Sequence, residues 1–295
     1  MEPSMRTQAV HVASPESESP ARPVLAECPQ LEALTVESLI VPVLQAQLEA
    51  IWPQEVDLLR RYALPAAPAL LDVGCGTGEF VARLAALWPE ARITGLDLAP
   101  TLLDIARRRT ASSERITYLE GNGAHLPFED GSLDGVFCRH VLHAVNRPEL
   151  ILDEMIRVLK PGGVLHLLAE DYGMIYSSRG DPDLDRLWRE GWIAAGENSG
   201  IDLRIGRKVP AMLLHRRMRE VRMSFAQVDS LRVSRGTLSG IFQHWKAFAN
   251  DWVAKNASLP ARELNTLHED LLATLDDPNE HVLWMVPLIS AVKPV

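Results

Sequence analysis

Cysteine is scarce in this 295-residue chain: Cys28, Cys75 and Cys138 are odd in number and widely separated. They form neither a disulfide framework nor a zinc-ligand spacing, which predicts a reducing, cytoplasmic setting and no metal centre. No apolar run approaches the ~18 residues needed to span a bilayer. The N-terminus lacks the charged-then-apolar layout of a secretory leader. Positive charge is in deficit, 30 Lys and Arg against 39 Asp and Glu for a formal net charge of −9. That balance disfavours a nucleic-acid polyanion as the main partner. Internal repeats and the lysine-bearing phosphate loop G-x-x-x-x-G-K-[ST] are also absent. Apolar residues at 47% and charged residues at 23% are ordinary for a globular protein with a sizeable core.

Order along the chain is uneven. Residues 1–29 hold five prolines (Pro3, Pro15, Pro20, Pro23, Pro29), several serines and no apolar periodicity, so a disordered tail is expected. From 30 to 64 apolar residues recur at helical spacing, as in Leu39, Ile40, Val43, Leu44, Leu48 and Ile51. Pro53 is read as a break, with a second short helix over about 54–62. The two helices would form a cover for the domain that follows over 65–295. Strand patterns at 69–73, 92–97, 115–119, 133–139 and 163–169 alternate with helical ones near 78–87, 100–109 and 148–159. This rhythm predicts a mostly parallel sheet with helices on both faces and ligands at the carboxyl ends of the strands. Beyond Glu170 the rhythm breaks into helical additions at about 183–217 and 234–276, a strand at 219–230 and a last strand over 281–289.

The run Leu70-Leu71-Asp72-Val73-Gly74-Cys75-Gly76-Thr77-Gly78-Glu79-Phe80 reads as a buried strand, a turn stripped of Cβ atoms and a helix N-terminus. Its glycines fall at 74, 76 and 78, and position 79 is Glu rather than the third glycine of a dinucleotide fingerprint. A carboxylate there sits badly beside a pyrophosphate, so the turn suits a less anionic ligand.

Asp72-Val73-Gly74-Cys75-Gly76-Thr77-Gly78 resembles the first motif of class I S-adenosylmethionine-dependent methyltransferases. Gly95-Leu96-Asp97-Leu98-Ala99, the loop from Gly121 to Phe128, the strand Asp134 to His143 and the turn Lys160-Pro161-Gly162-Gly163 are similar to later family segments, in order. The resemblance covers about 65–172 and is nearest to the quinone-biosynthesis and small-molecule subgroup. It implies a Rossmann-like α/β fold with a seven-stranded, mostly parallel sheet. S-adenosyl-L-methionine would be the cofactor and a small-molecule methyl acceptor the partner, with neither membrane nor nucleic acid involved. A non-methylating enzyme or a cofactor-binding protein on the same fold stays open beside it.

In that frame Gly74, Gly76 and Thr77 would lie against the methionine part of the cofactor, with Asp72 anchoring its ammonium. Asp97 would accept both ribose hydroxyls. Asn122 and Gly123 would engage the adenine edge, with Leu98, Leu126 and Phe128 against its faces. Arg139 would stand beside the cofactor, paired with a carboxylate or touching substrate. His140, His143 and Tyr172 are the catalytic candidates, with Glu170 and Asp171 further possible bases. The basic stretch Arg204 to Arg222 reads as a solvated face or an anion site. The aromatic residues Trp188, Trp192, Phe242, Trp245, Phe248 and Trp252 read as core, with one or two walling an acceptor pocket.

Overall fold

Apolar runs buried on both faces make the centre of the sheet, and a computed structural model describes it for residues 40–295. The predicted tail, and the cover up to residue 39, lie outside the described residues. The strands are β1 (Ala69–Val73), β2 (Arg92–Asp97), β3 (Ile116–Glu120), β4 (Leu133–Arg139), β5 (Leu159–Leu168), β6 (Ile175–Ser177), β7 (Arg219–Asp229) and β8 (Val282–Val292). Their order is 3-2-1-4-5-8, with β7 on the other side of β8. Strands β1 to β5 pair in parallel, and β8 runs antiparallel to β5, β6 and β7. The short β6 shares one edge of β8 with β5, taking Val282 to Trp284 while β5 takes Leu288 to Val292. It lengthens an existing position, so the expected seven-stranded architecture holds with one unforeseen strand.

Alternate residues of the central strands feed two cores. Leu70, Ile93 and Phe137 point to one side, against Phe80, Val81 and Leu84 of α2 (Glu79–Leu87) and Leu103 of α3 (Pro100–Arg109). Leu71, Val73 and Val136 point to the other, against Ile151, Leu152 and Met155 of α4 (Pro148–Val158). A third core joins Trp188, Trp192, Phe242, Trp245 and Trp284. It is built from α7 (Arg235–Asn256), α8 (Ala261–Asp276) and a π-helical turn, Leu187–Ile193, that runs into α5 (Ala194–Ser199).

Two local readings are corrected. Pro53 does not break the chain: one helix, α1 (Val41–Leu59), runs through it. An interior proline costs roughly 3 kcal/mol, but Pro53 is exposed while Leu48, Ile51, Val56 and Leu59 on the inner face are buried. Burial on that face, at roughly 1.5–3 kcal/mol per large apolar side chain, outweighs the break. The second concerns the helical addition expected over about 183–217, whose later part divides into a 3-10 turn (Ile205–Arg207) and α6 (Val209–His215), with Pro210 in the first turn of α6.

The strand order reverses at β1, with β2 and β3 laid down on one side of it and β4 and β5 on the other. A crevice therefore opens beyond the carboxyl ends of β1 and β4. That rim collects Asp72 and Val73, Asp97 and Arg139, each at or near the last residue of its strand.

Candidate functional site

The crevice is a cleft of about 280 Å³ lined by Asp72, Gly74, Gly76, Thr77, Asp97, Leu98, Asn122, Gly123, Arg139 and His140, among others. Of the eleven residues expected around a cofactor, nine line it, and Leu126 and Phe128 do not. Its floor is the glycine turn. Gly74 sits at φ +75, and a Cβ there would fall 2.2 Å from Val141 Cγ2. Gly74→Ala is therefore expected to lower stability by about 1–3 kcal/mol through strain and overpacking. A denaturant midpoint equal to wild type would show that the turn is slack.

The turn's amides are largely used within the fold. Gly74 and Cys75 donate to the Leu96 carbonyl at 2.7 and 3.1 Å. The Gly76 N–H donates to Asp97 Oδ2 at 2.8 Å, and the Ala99 N–H to Asp97 Oδ1 at 2.9 Å. The turn thus offers a close-fitting surface at these positions. Each Asp97 oxygen keeps a further lone pair for a ligand hydroxyl. Asn122 folds its Oδ1 back onto the Ala124 N–H at 2.9 Å. Leu98 is exposed at the cleft mouth, whereas Leu126 is buried in the core beside Ala124, so Leu126 packs the fold and does not flank the cleft.

Beneath the cleft lie buried charges. Burial pushes the Asp72 carboxyl up to about 7, with Asp97 and Glu55 adding to the rise and Arg139 opposing it. The Arg139 Nε donates to Glu55 Oε1 at 3.0 Å, its guanidinium lies 4.5 Å over the Phe80 ring, and its Nη2 is buried with no hydrogen-bond partner among the described residues. Glu55 also meets His166 Nε2 at 3.0 Å, and His166 Nδ1 meets the Tyr62 hydroxyl at 2.7 Å. Glu55 was not foreseen. The signal was present, because Leu48, Ile51, Glu55 and Leu59 repeat at helical spacing on one face and an acid on an apolar face needs a buried cation.

A larger chamber of about 540 Å³ adjoins the cleft and shares Asp97, Leu98, Leu102, His140 and Ala144 with it. Its walls include Tyr172, Trp192, Trp245, Phe248 and His244, with Val43, Leu44 and Gln47 of α1 as cover. Tyr172 stacks on Trp192 with centroids 5.6 Å apart. Burial, reinforced by Glu170, pushes the Tyr172 hydroxyl well above its ordinary value, so this phenol stays protonated in the chamber wall. Trp188 and Phe242 lie behind, in the core.

His140 and His143 do not share a helical face. His140 precedes the 3-10 turn (Leu142–Ala144) at φ 58, and both rings converge on one carboxylate. His140 Nδ1 is bonded to Glu170 Oε1, and His143 Nδ1 lies 2.7 Å from Oε2 in a less well aligned contact. Burial alone would raise the Glu170 carboxyl, but the two histidines hold it well below the usual carboxylate range. Asp171 is withdrawn from the site, bonded to the Arg207 guanidinium at 2.8 Å through Oδ1. Through the basic stretch, Lys208 pairs with Asp202, Arg216 with Asp153 and Arg222 with Glu220. None of these lines the cleft or the chamber. Among the described residues no helix is long and apolar enough to cross a membrane.

Residues 71–167 match the family model described as a methyltransferase domain. The chain is 41% identical over 96 residues to the demethylmenaquinone methyltransferase of Staphylococcus aureus. That alignment covers 32% of this chain and 40% of the relative's length. Among solved structures, the Haemonchus contortus phosphoethanolamine N-methyltransferase 2 with phosphomonomethylethanolamine and S-adenosylhomocysteine superposes with a TM-score of 0.54 at 16% identity, over 88% of this chain and 59% of that one. The [4+2]-cyclase SpnF superposes with a TM-score of 0.52 at 22% identity, over 83% of both chains. These two likenesses are of fold.

Proposed function

We propose that this chain, whose residues 71–167 match the model of a methyltransferase domain, is a class I S-adenosylmethionine-dependent enzyme that transfers a methyl group from S-adenosylmethionine to a small organic acceptor held in the aromatic chamber. The observation that carries the reading is the junction: a cleft with a sheet-rim acid and a glycine floor opens directly into an aromatic-walled chamber. The cleft's own features fit the cofactor. A floor of glycines at positive φ, bare of side chains, suits close approach of the methionine chain, and Asp97 suits the ribose diol. Asp72 suits the ammonium, and the unpartnered Arg139 Nη2 suits the carboxylate.

When bound, the cofactor supplies an electrophilic methyl group on a sulfonium. The protein's part is to align the acceptor with that carbon within ~3–3.5 Å and to keep water out. Helix α1 and the aromatic walls do the second. Pairing of Arg139 with Glu55 removes a net positive charge from beside the sulfonium position. The acidic protein and its carboxylate-paired basic stretch favour a small acceptor over a nucleic acid.

The test combines calorimetry with S-adenosylmethionine and transfer of a labelled methyl to a metabolite library. Saturable binding with label in one product is expected. Binding with no labelled product across the library would favour a non-methylating protein on the same fold, as the likeness to a cyclase illustrates.

A further inference from the structure

Resting on the methyl-transfer reading, we infer that Gln47 reads the methyl acceptor, and that the acceptor is a flat, neutral ring compound carrying a lactam or carboxamide. Ile40, Val43, Leu44 and Gln47 follow one another at helical spacing along the start of α1, and all four line the chamber. Gln47 is the polar member of that stripe. Ile40 and Leu44 reach the cleft as well, whereas Gln47 lines the chamber alone, so it faces the methyl acceptor and not the methyl donor.

The Gln47 side chain is buried at 6% exposure, and among the described residues its amide makes no hydrogen bond. An amide taken from water without a partner costs free energy that a leucine in the same place would gain. The wall therefore holds an unspent hydrogen-bonding group where packing alone calls for an apolar one. Two turns further along α1, Gln54 shows how such an amide is satisfied. Its Nε2 donates to the Gln227 carbonyl at 2.9 Å, and its Oε1 accepts the Gln227 N–H at 3.0 Å. Gln47 presents the same two groups to the chamber. A lactam or carboxamide offers the matching N–H and carbonyl side by side.

The rest of the wall narrows the class. Both Asp97 oxygens accept backbone amides, Glu170 faces His140 and His143, and His244 Nδ1 donates to the Gly240 carbonyl at 2.6 Å. Among the described lining residues no lysine or arginine pairs a phosphate or carboxylate, so an anionic group would be desolvated there at a cost. Tyr172, Trp192, Trp245 and Phe248 offer aromatic surface to a flat ring. A ring stacked on them and gripped at one edge by two hydrogen bonds is held in a single orientation, which transfer to one atom requires.

The probes are 2-quinolone and coumarin, two flat bicycles of one shape in which a lactam N–H is exchanged for a ring oxygen. Each is titrated into the full chain with and without S-adenosylhomocysteine, read by calorimetry and by quenching of tryptophan fluorescence. The quinolone is expected to bind about tenfold more tightly than coumarin, because coumarin leaves the Gln47 carbonyl oxygen unpaired. Gln47→Leu and Gln47→Met should each bind the two probes within about twofold of one another. Their denaturant midpoints should equal or exceed that of wild type, since the apolar stripe becomes continuous. Quinolone that does not bind, a wild-type preference below about threefold, or a preference that survives in both variants would each overturn the proposal. Variants that keep the preference while losing stability would make Gln47 a packing residue. Failure of the methyl-donor reading shows elsewhere, as no calorimetric heat with S-adenosylmethionine or S-adenosylhomocysteine, while the titrations without cofactor still report on the chamber.

Discussion

Replacing Asp97 by alanine is expected to weaken binding of S-adenosylmethionine and S-adenosylhomocysteine by about a hundredfold or more. A carboxylate accepting two ribose hydroxyls makes two charge-assisted hydrogen bonds, each worth roughly 1.5–3 kcal/mol. The same side chain also accepts the Gly76 and Ala99 amides, so the variant loses part of the turn's shape as well. Those two contributions separate with Asp97→Asn. An asparagine keeps one acceptor oxygen but turns an N–H₂ toward a backbone N–H, so it should fall between wild type and alanine. Calorimetry reads both variants. An alanine variant within threefold of wild type would remove Asp97 from the ribose site.

Helix α1 carries the second large effect. Glu55 is completely buried and, among the described residues, is the one carboxylate bonded to Arg139, which is itself 8% exposed. Glu55→Ala is expected to lower stability by about 3–5 kcal/mol, because it strands a guanidinium in the interior. Glu55→Gln, which can still accept from Arg139 Nε, should lose less and stay folded enough to assay. Its cofactor affinity should fall too, since the uncompensated Arg139 charge then faces the sulfonium. Chemical denaturation gives the first quantity and calorimetry the second. Stability within 1 kcal/mol of wild type in both variants would mean the pair is dispensable. The pH dependence carries the same logic. Burial would raise the Glu55 carboxyl, but Arg139 and His166 hold it below the ordinary carboxylate value. Its stabilisation is therefore present above the unfolded-state pKa and is lost as pH falls through the lower folded value. Asp72 has the opposite sign: with its pKa raised to about 7, its contribution is present at acid pH and is lost as pH rises toward and through 7.

Legibility in the sequence followed the range of the interactions. The glycine turn, Asp97 and the β–α alternation were readable because each is a local device: a positive φ, a strand-end acid, an apolar run of strand length. The likeness to a methyltransferase domain rests on those same local pieces, and the matched residues 71–167 are nearly coextensive with them. The added helices were readable as helices, and their aromatic residues as a core with a possible pocket wall.

What failed to read was long-range. Pro53 looked like a break because local propensity says so, yet the apolar face on either side of it holds the helix together. Leu126 looked like a ligand-facing residue by its place in a motif, and packing turned it into core. Glu55 meets Arg139 across 84 positions and His166 across 111. His140 and Glu170 are 30 apart, and no helical spacing relates them.

By itself, then, the sequence determined the floor and rim of the cleft, since the glycine turn at 74–78 and the strand-end acids are local devices. Only the tertiary structure decided the adjoining chamber. Its aromatic walls and the carboxylate that turns two histidines inward come from segments that meet only after folding. Their identity is set by packing and by compensation of buried charge, which no local pattern encodes.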